Sequence, residues 1–306
     1  MSLKIVKASE PMQVSNIVLT VYSAPGYGKT SLSYTAEKPL LLDFDKGSYR
    51  AAVRGDTVQI VSWEDVQGMT AADLAEYKTI IIDTAGRALD VLSQDIIAAN
   101  PKAGRSDGSL SLQGFGSLKS RFAQWQSFLR SQEKDIVLIC HMDEQKNGDD
   151  TMERIDAQGS SKNEIYKSSD AMCRIRLDNK DQRYLDFDPR QGGFGKNPAQ
   201  LPKVPFPDPK TNPLFLASVI QKIKDAINQM TDEQADEVKK SEAWPVAIAE
   251  ADTLEKFNGL IEFAQRDGKK YKALLVTEAE KRGYIFAKEA KAYKEAPKEA
   301  ASNAKG

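Results

Sequence analysis

Residues 21–47 read VYSAPGYGKTSLSYTAEKPLLLDFDKG. The stretch starts inside a β-branched and aromatic run, Ile17–Tyr22, which breaks at Ser23-Ala24-Pro25-Gly26-Tyr27-Gly28. An apolar run stopped by turn-forming residues predicts a buried strand. A helix is predicted next, over Thr30–Ala36, until Pro39 ends it. Leu40-Leu41-Leu42 and Phe44 then predict a second strand, closed by Asp43, Asp45 and the Lys46-Gly47 turn. A strand, a glycine turn, a helix and a strand in quick succession begin a sheet whose strands are connected by helices.

The same alternation continues outward from this segment. Val58–Val61 predicts a short strand, Ala71–Tyr77 a helix, and Thr79-Ile80-Ile81-Ile82 a strand ending at Asp83. A long helix is predicted over Gly86–Ala99, a turn-rich loop over Pro101–Ser111, and a helix with an apolar stripe at Leu118, Phe122, Trp125, Phe128 and Leu129. Ile136–Cys140 is again apolar throughout and ends at His141. Strands apolar on both faces are those of a parallel sheet covered by helices on both sides. The expected fold is therefore α/β, a mostly parallel, doubly wound sheet.

Beyond His141 the texture changes. Asn147-Gly148-Asp149-Asp150 predicts a hairpin turn, Ala171–Leu177 and Arg183–Phe187 two more strands, and residues 189–213 an irregular proline-rich segment. From Pro213 the chain reads helical. Thr231-Asp232-Glu233-Gln234 predicts a helix start, as does Asp252-Thr253-Leu254-Glu255, with Leu254, Phe257, Ile261 and Ala264 on one face. Lys288–Gly306 is rich in Lys, Ala and Glu, and its end is expected to be solvated. Two domains are expected, a core over residues 1–230 and a C-terminal helical region over residues 231–306.

The composition is that of an ordinary water-facing chain, 41% hydrophobic and 28% charged, with 43 Lys and Arg against 44 Asp and Glu. Such a balance excludes a chain basic all over, so nucleic-acid binding requires a local patch or an assembly that lines up basic loops. Cys140 and Cys173 sit in apolar runs and read as buried, reduced thiols. No apolar stretch approaches the ~18 residues of a membrane span, and the residues before Val14 lack an apolar signal core. A cytoplasmic location is expected.

The chemistry centres on Ser23–Thr30. The pattern G-x-x-x-x-G-K-[ST] is met except that Ser23 stands at the first glycine. Gly26 and Gly28 allow a backbone whose N–H groups converge on phosphate oxygens. Ala24, Pro25, Gly26, Tyr27, Gly28, Lys29, Thr30 and Ser31 are the candidate nucleotide-binding residues. Lys29 is placed to reach the β- and γ-phosphates and Thr30 to ligate Mg²⁺. Asp83, at the end of an apolar strand, is the expected second Mg²⁺ ligand, opposite Thr30. Asp83 is followed by Thr84, not by a second acid, so the group polarising water must come from elsewhere. Asp45 is the candidate, although Asp-Lys-Gly also makes an ordinary turn. His141, the single histidine, reads either as a polar group facing the γ-phosphate or as a turn-capping residue.

Taken together, SAPGYGKT (23–30), LLLDFDKG (40–47), IIIDTAG (80–86), LQGFGSLK (112–119) and IVLICHM (136–142) resemble the RecA-type ATPase core. Within it they are most similar to the phage Sak-type single-strand annealing recombinases, AAA-domain phage nucleotide-binding proteins. The resemblance spans about residues 14–190. It implies ATP and Mg²⁺ as cofactors, and Lys29, Asp45, Asp83 and His141 as catalytic residues, with Asp45 where the family usually has glutamate. It also implies a homo-oligomeric ring or filament in which a neighbouring subunit completes the ATP site with a cation. Lys162, Arg174, Arg176 and Arg183 are the candidates for that cation. Single-stranded DNA is the implied partner, with a single-strand-binding protein as a further candidate. The segments 101–117, with Lys102 and Arg105, and 143–168, with Lys146, Arg154, Lys162 and Lys167, are the implied DNA-contacting loops.

The expected function is a DNA-stimulated ATPase of recombination that anneals or pairs strands. A helicase loader or replication motor, a small-molecule phosphotransferase and a nucleotide-binding scaffold with little turnover are the alternatives. The proline-rich, poorly basic 189–213 segment speaks against the phosphotransferase.

Overall fold

The computed structural model describes residues 3, 5–147, 150–157, 161–189 and 193–297. Gly148 and Asp149 of the predicted hairpin turn, and the last part of the predicted tail, lie outside the described residues. The chain divides into two compact units, residues 13–228 and residues 1–12 with 229–306.

In the larger unit the elements run in chain order β1 (Val18–Ser23), α1 (Lys29–Ser33), β2 (Pro39–Asp43), β3 (Asp56–Gln59), α2 (Glu64–Gln67), β4 (Thr79–Asp83), α3 (Ala85–Ala99), α4 (Leu112–Ser131), β5 (Asp135–Asn147), β6 (Asp150–Ile155), α5 (Ser161–Ser168), β7 (Ala171–Leu177), β8 (Arg183–Asp186) and β9 (Val204–Pro205). Helix α6 (Phe215–Glu250) begins here and continues into the second unit. The sheet order is β3-β2-β4-β5-β1-β7-β8-β9. Every pair from β3 to β7 is parallel, while β7–β8 and β8–β9 are antiparallel. This is the mostly parallel α/β sheet expected.

Successive strand residues point to opposite faces, and the apolar residues divide accordingly. Val18, Tyr22, Leu40, Leu42, Ile80, Ile82, Ile136 and Leu138 pack on one face with Leu89 and Leu92 of α3 and Leu118, Phe122 and Trp125 of α4. Leu19, Val21, Leu41, Ile81, Val137 and Ile139 pack on the other with Leu32 and with Leu216, Val219, Ile220 and Ile223 of α6. Two buried faces are why these strands carry no polar alternation. Lys224 of α6 meets the Asp135 carboxylate at 2.6 Å, and Asp135 also accepts from the Ile17 amide. Cys140 and Cys173 are buried free thiols, and burial pushes both to higher pKa, Cys140 to about 12.

Several expected elements differ. Residues 71–76 form turns, and the helix lies earlier, at α2. Helix α4 starts at Leu112, capped by Ser111, whose hydroxyl accepts from the Gly114 amide. The last six residues of the implied 101–117 loop are therefore helical. The implied 143–168 loop is a hairpin, in which the outer half of β5 pairs with β6, followed by α5. Thr231 starts no helix; it lies buried within α6, because the apolar spacing carries the helix straight through the capping-box residues.

The second unit holds the rest of α6, then α7 (Leu254–Asp267), α8 (Lys269–Lys281) and an antiparallel hairpin, β10 (Tyr284–Ala287) with β11 (Ala292–Glu295). Its core is Trp244, Ile248, Phe257, Ala264, Tyr271, Leu275 and Tyr293. Thr253 caps α7 as its sequence predicts, accepting from the Lys256 amide. The C-terminal region is thus helical with a small hairpin that the sequence did not signal; Phe286 and Tyr293 pack across its strands and hold it.

Candidate functional site

Parallel pairing brings the C-terminal ends of β1, β2, β4 and β5 to one edge of the sheet. Ser23 lies level with His141, Asp83 with Ile139, and Asp43 with Asp83. A cavity of about 520 Å³ opens there, lined by Gly26, Gly28, Lys29, Thr30, Asp45, Asp83 and His141 among others. A crevice at the carboxyl ends of the strands is where an open α/β sheet binds ligands.

The loop from Ser23 to Gly28 leaves β1 and enters α1. Gly26 and Gly28 have φ of 83° and 86°, the left-handed region that favours glycine, so their presence is required by the turn. Serine at position 23 is compatible because it still belongs to β1. Its hydroxyl helps to hold the loop lysine. Lys29 Nζ donates to Ser23 Oγ at 3.2 Å, and to the carbonyls of Ser23 and Ala24 at 2.9 Å. Burial lowers the Lys29 pKa to about 8, against the opposing pull of Asp83. The ammonium thus rests on neutral oxygens within the loop, so a phosphate anion is a better partner than those it now has.

Thr30 Oγ1 donates to Asp83 Oδ2 at 2.6 Å. Burial raises the Asp83 pKa to about 6, against the lowering effect of this hydrogen bond and with Asp43 and Asp45 adding to the rise. A hydroxyl and a carboxylate in contact suit Mg²⁺, which keeps several waters and takes its remaining oxygens from phosphate. Among the described residues no cluster of three or more His, Cys, Asp or Glu is placed to hold a metal ion.

The two carboxylates after β2 have separate roles. Asp43 is buried and accepts from the amides of Gly47 and Ser48, closing the turn. Asp45 faces the cavity, and the backbone sets its place: the Phe44 and Asp45 amides both donate to the carbonyl of Asp83. Its carboxylate is 3.4 Å from Arg87 and 3.8 Å from Arg50. Both arginines are largely exposed, and neither was evident from the sequence, since nothing local marks them. His141 lines the cavity with its Nδ1 buried and, among the described residues, unpartnered. Burial and the nearby Lys29 charge lower its pKa, so the ring is neutral at pH 7. A neutral ring carries one donor and one acceptor nitrogen.

The four candidate cations for a neighbouring site separate sharply. Arg174 is fully buried, paired with Glu153 at 3.1 Å and Asp186 at 2.9 Å, and so cannot reach another subunit. Arg176 joins the same cluster at 3.5 Å from Glu153. Arg183 lies in the wall of its own chain's cavity. Lys162, on α5, is half-buried.

The model of the AAA domain family matches residues 15–199, well over half of the chain. The chain belongs to the AAA domain family. The matched residues of this AAA domain contain the whole loop, Asp45, Asp83 and His141. Among solved structures, a KaiC-like protein from the hyperthermophilic archaeon Pyrococcus horikoshii is similar at 10% identity, over 62% of this chain and 89% of its own, with a TM-score of 0.33. An ATPase of the type III secretion system of pathogenic bacteria is similar at 10% identity, over 54% of this chain and 51% of its own, also with a TM-score of 0.33. No curated protein matches the sequence. Among the described residues, no helix of the chain is long and apolar enough to cross a membrane.

Proposed function

We propose that this AAA-domain chain binds ATP with Mg²⁺ and hydrolyses it, and that turnover serves single-stranded DNA recombination by annealing or strand pairing. The nucleotide reading is carried by the 2.6 Å contact of Thr30 with Asp83, beside the buried Lys29 ammonium. Mg²⁺, when bound, neutralises charge on the phosphates. The chain's own residues supply the rest. Lys29 exchanges its loop carbonyls for phosphate oxygen, the turning backbone of Gly26 and Gly28 wraps the phosphates, Asp45 polarises water, and His141 contacts the terminal phosphate or that water.

The DNA reading is supported by the sequence resemblance to the Sak-type phage proteins. Exposed Lys102 and Arg105 lie in the 101–111 segment, and Lys162 and Lys167 on α5. The β5–β6 hairpin is less suited to a phosphate backbone, since Asp143, Glu144 and Glu153 outnumber Lys146 and Arg154. An assembly of several copies would line such segments along one groove, and a single-strand-binding protein is the expected companion.

A scaffold with slow turnover is the second reading, favoured by the pairing of Asp45 with Arg50 and Arg87, which gives this carboxylate partners other than an attacking water. Steady-state ATP hydrolysis with and without single-stranded DNA, against Lys29→Ala, decides between them. DNA-stimulated turnover lost in the variant supports recombination. Tight ATP binding with turnover indifferent to DNA supports the scaffold.

A further inference from the structure

Two arginines line the phosphate cavity, and their surroundings differ. Arg50 faces Asp45. Arg183, at the start of β8, makes no ion pair among the described residues. Its guanidinium lies over the Phe206 ring, with Cζ 4.5 Å from the centroid. Its Nη1 is 3.4 Å from the Tyr27 carbonyl of the phosphate loop. The approach is close enough that a Cβ at Gly28 would stand 2.4 Å from Nη1. Backbone pairing fixes the arrangement, since the Phe206 amide donates to the Arg183 carbonyl at 2.9 Å. A guanidinium without a carboxylate is thus held beside a loop that already carries Lys29. Gathering like charges is unfavourable unless a multiply charged anion binds between them, and a planar guanidinium suits phosphate oxygens.

A second cavity, of about 580 Å³, meets the first at Ser31, Ala52 and Arg183. Its further wall includes Phe206, Pro207, Gln182 and Asp208. Asp45, Asp83 and His141 line only the first. The metal-binding end therefore points away from the junction, and the rest of a nucleotide leaves past Ser31. Both volumes fall in the range of roughly 300–1,000 Å³ usual for small-molecule sites, and an aromatic ring with prolines and a few polar groups suits a sugar and a base.

We propose that Arg183 binds the phosphate chain of the nucleotide within its own subunit, and that the cavity behind it, walled by Phe206 and Pro207, takes the ribose and base. The inference rests on the nucleotide reading above. It assigns to the same chain a charge that the family resemblance would take from a neighbour.

The experiment compares binding of ATP and of inorganic tripolyphosphate, both with Mg²⁺, to the full chain and to Lys29→Ala, Arg183→Ala, Arg183→Lys and Phe206→Leu, with thermal unfolding as a check on folding. Arg183→Ala weakens both ligands by roughly 10- to 100-fold, and Arg183→Lys, which keeps the charge but loses the planar fork, lies between it and the parent. Phe206→Leu weakens ATP by roughly tenfold and leaves tripolyphosphate unchanged. ATP affinity unaltered in a folded Arg183→Ala overturns the assignment, and an equal loss of both ligands in Phe206→Leu overturns the base subsite. Mixing Arg183→Ala with Lys29→Ala chains leaves tight ATP binding unrestored; restoration means that Arg183 acts across subunits. A parent chain that binds neither ligand overturns the nucleotide reading itself.

Discussion

Thr30 Oγ1 and Asp83 Oδ2 are 2.6 Å apart although they are 53 positions apart in sequence and a whole strand, β5, lies between β4, which ends at Asp83, and β1, which leads to Thr30. The hydroxyl comes from the first turn of α1, the carboxylate from the end of β4. Parallel pairing of β1, β5 and β4 puts both at the same edge, and the glycine turn brings α1 across it. Thr30→Val is close in shape but removes the oxygen. Its Mg²⁺-dependent ATP affinity is expected to fall by roughly 10- to 100-fold, with Mg²⁺-independent binding less affected, as a calorimetric titration with and without Mg²⁺ will read.

Asp83 sets an acid limit on function. Burial pushes its pKa up to about 6, above the ordinary carboxylate value, so the folded protein keeps the proton to higher pH than the unfolded chain does. Stability contributed by this proton is full below the ordinary value of about 4 and is lost as pH rises through about 6. Cation binding has the opposite sign, because it needs the ionised form. Mg²⁺-dependent ATP binding is expected to weaken tenfold for each pH unit below about 6, and Asp83→Asn to abolish that pH dependence along with most of the binding. A profile flat from pH 5 to 8 would contradict the role given to Asp83.

Asp45→Asn tests whether this carboxylate handles water. ATP affinity should stay within a few-fold, while turnover falls by roughly 10²- to 10⁴-fold, the usual worth of a general base. Arg87→Ala removes the nearer of its ion-pair partners. The pair is largely exposed, so stability should change by less than about 1 kcal/mol. Turnover should rise if the pairing restrains Asp45, and unchanged rates would show that it does not.

Arg174→Met distinguishes a structural arginine from a subunit-bridging one. The variant leaves Asp186 and Glu153 without their buried partner and is expected to cost about 3–5 kcal/mol in unfolding free energy. Chemical denaturation measures that loss. The protein that stays folded should bind ATP as the parent does, because the cluster lies away from the cavity wall.

His141→Ala removes the one imidazole of the cavity. Nδ1 has no partner among the described residues, so stability should change little beyond the lost packing. A fall in turnover with ATP affinity held would place the ring on the terminal phosphate or the attacking water. Loss of neither would make it a bystander.

Much of this was legible from local sequence. The strand Val18–Ser23, the loop glycines with Lys29 and Thr30, the strand ending at Asp83 and the strand leading to His141 all announce themselves within short windows. An apolar run ended by a turn or a carboxylate is a local pattern, and strands buried on both faces show it in its plainest form. The length of α6, the early start of α4 and the C-terminal hairpin were less legible. There, contacts from residues distant in the chain decide whether a helix continues past a capping box or a lysine-rich segment pairs as strands.

The amino-acid sequence by itself determined the parallel α/β core and the chemical identity of the phosphate loop, since both depend on residue type at fixed short spacing. Only the tertiary structure decided what each arginine does. Arg174, Arg176 and Arg183 lie within ten residues of one another, yet Asp186 on the antiparallel return of β8 and Glu153 on β6 bury the first between two carboxylates and hold the second, while β8 delivers the third to the phosphate loop. A charged side chain takes its role from the charges it faces, and strand register, not neighbouring sequence, sets which those are.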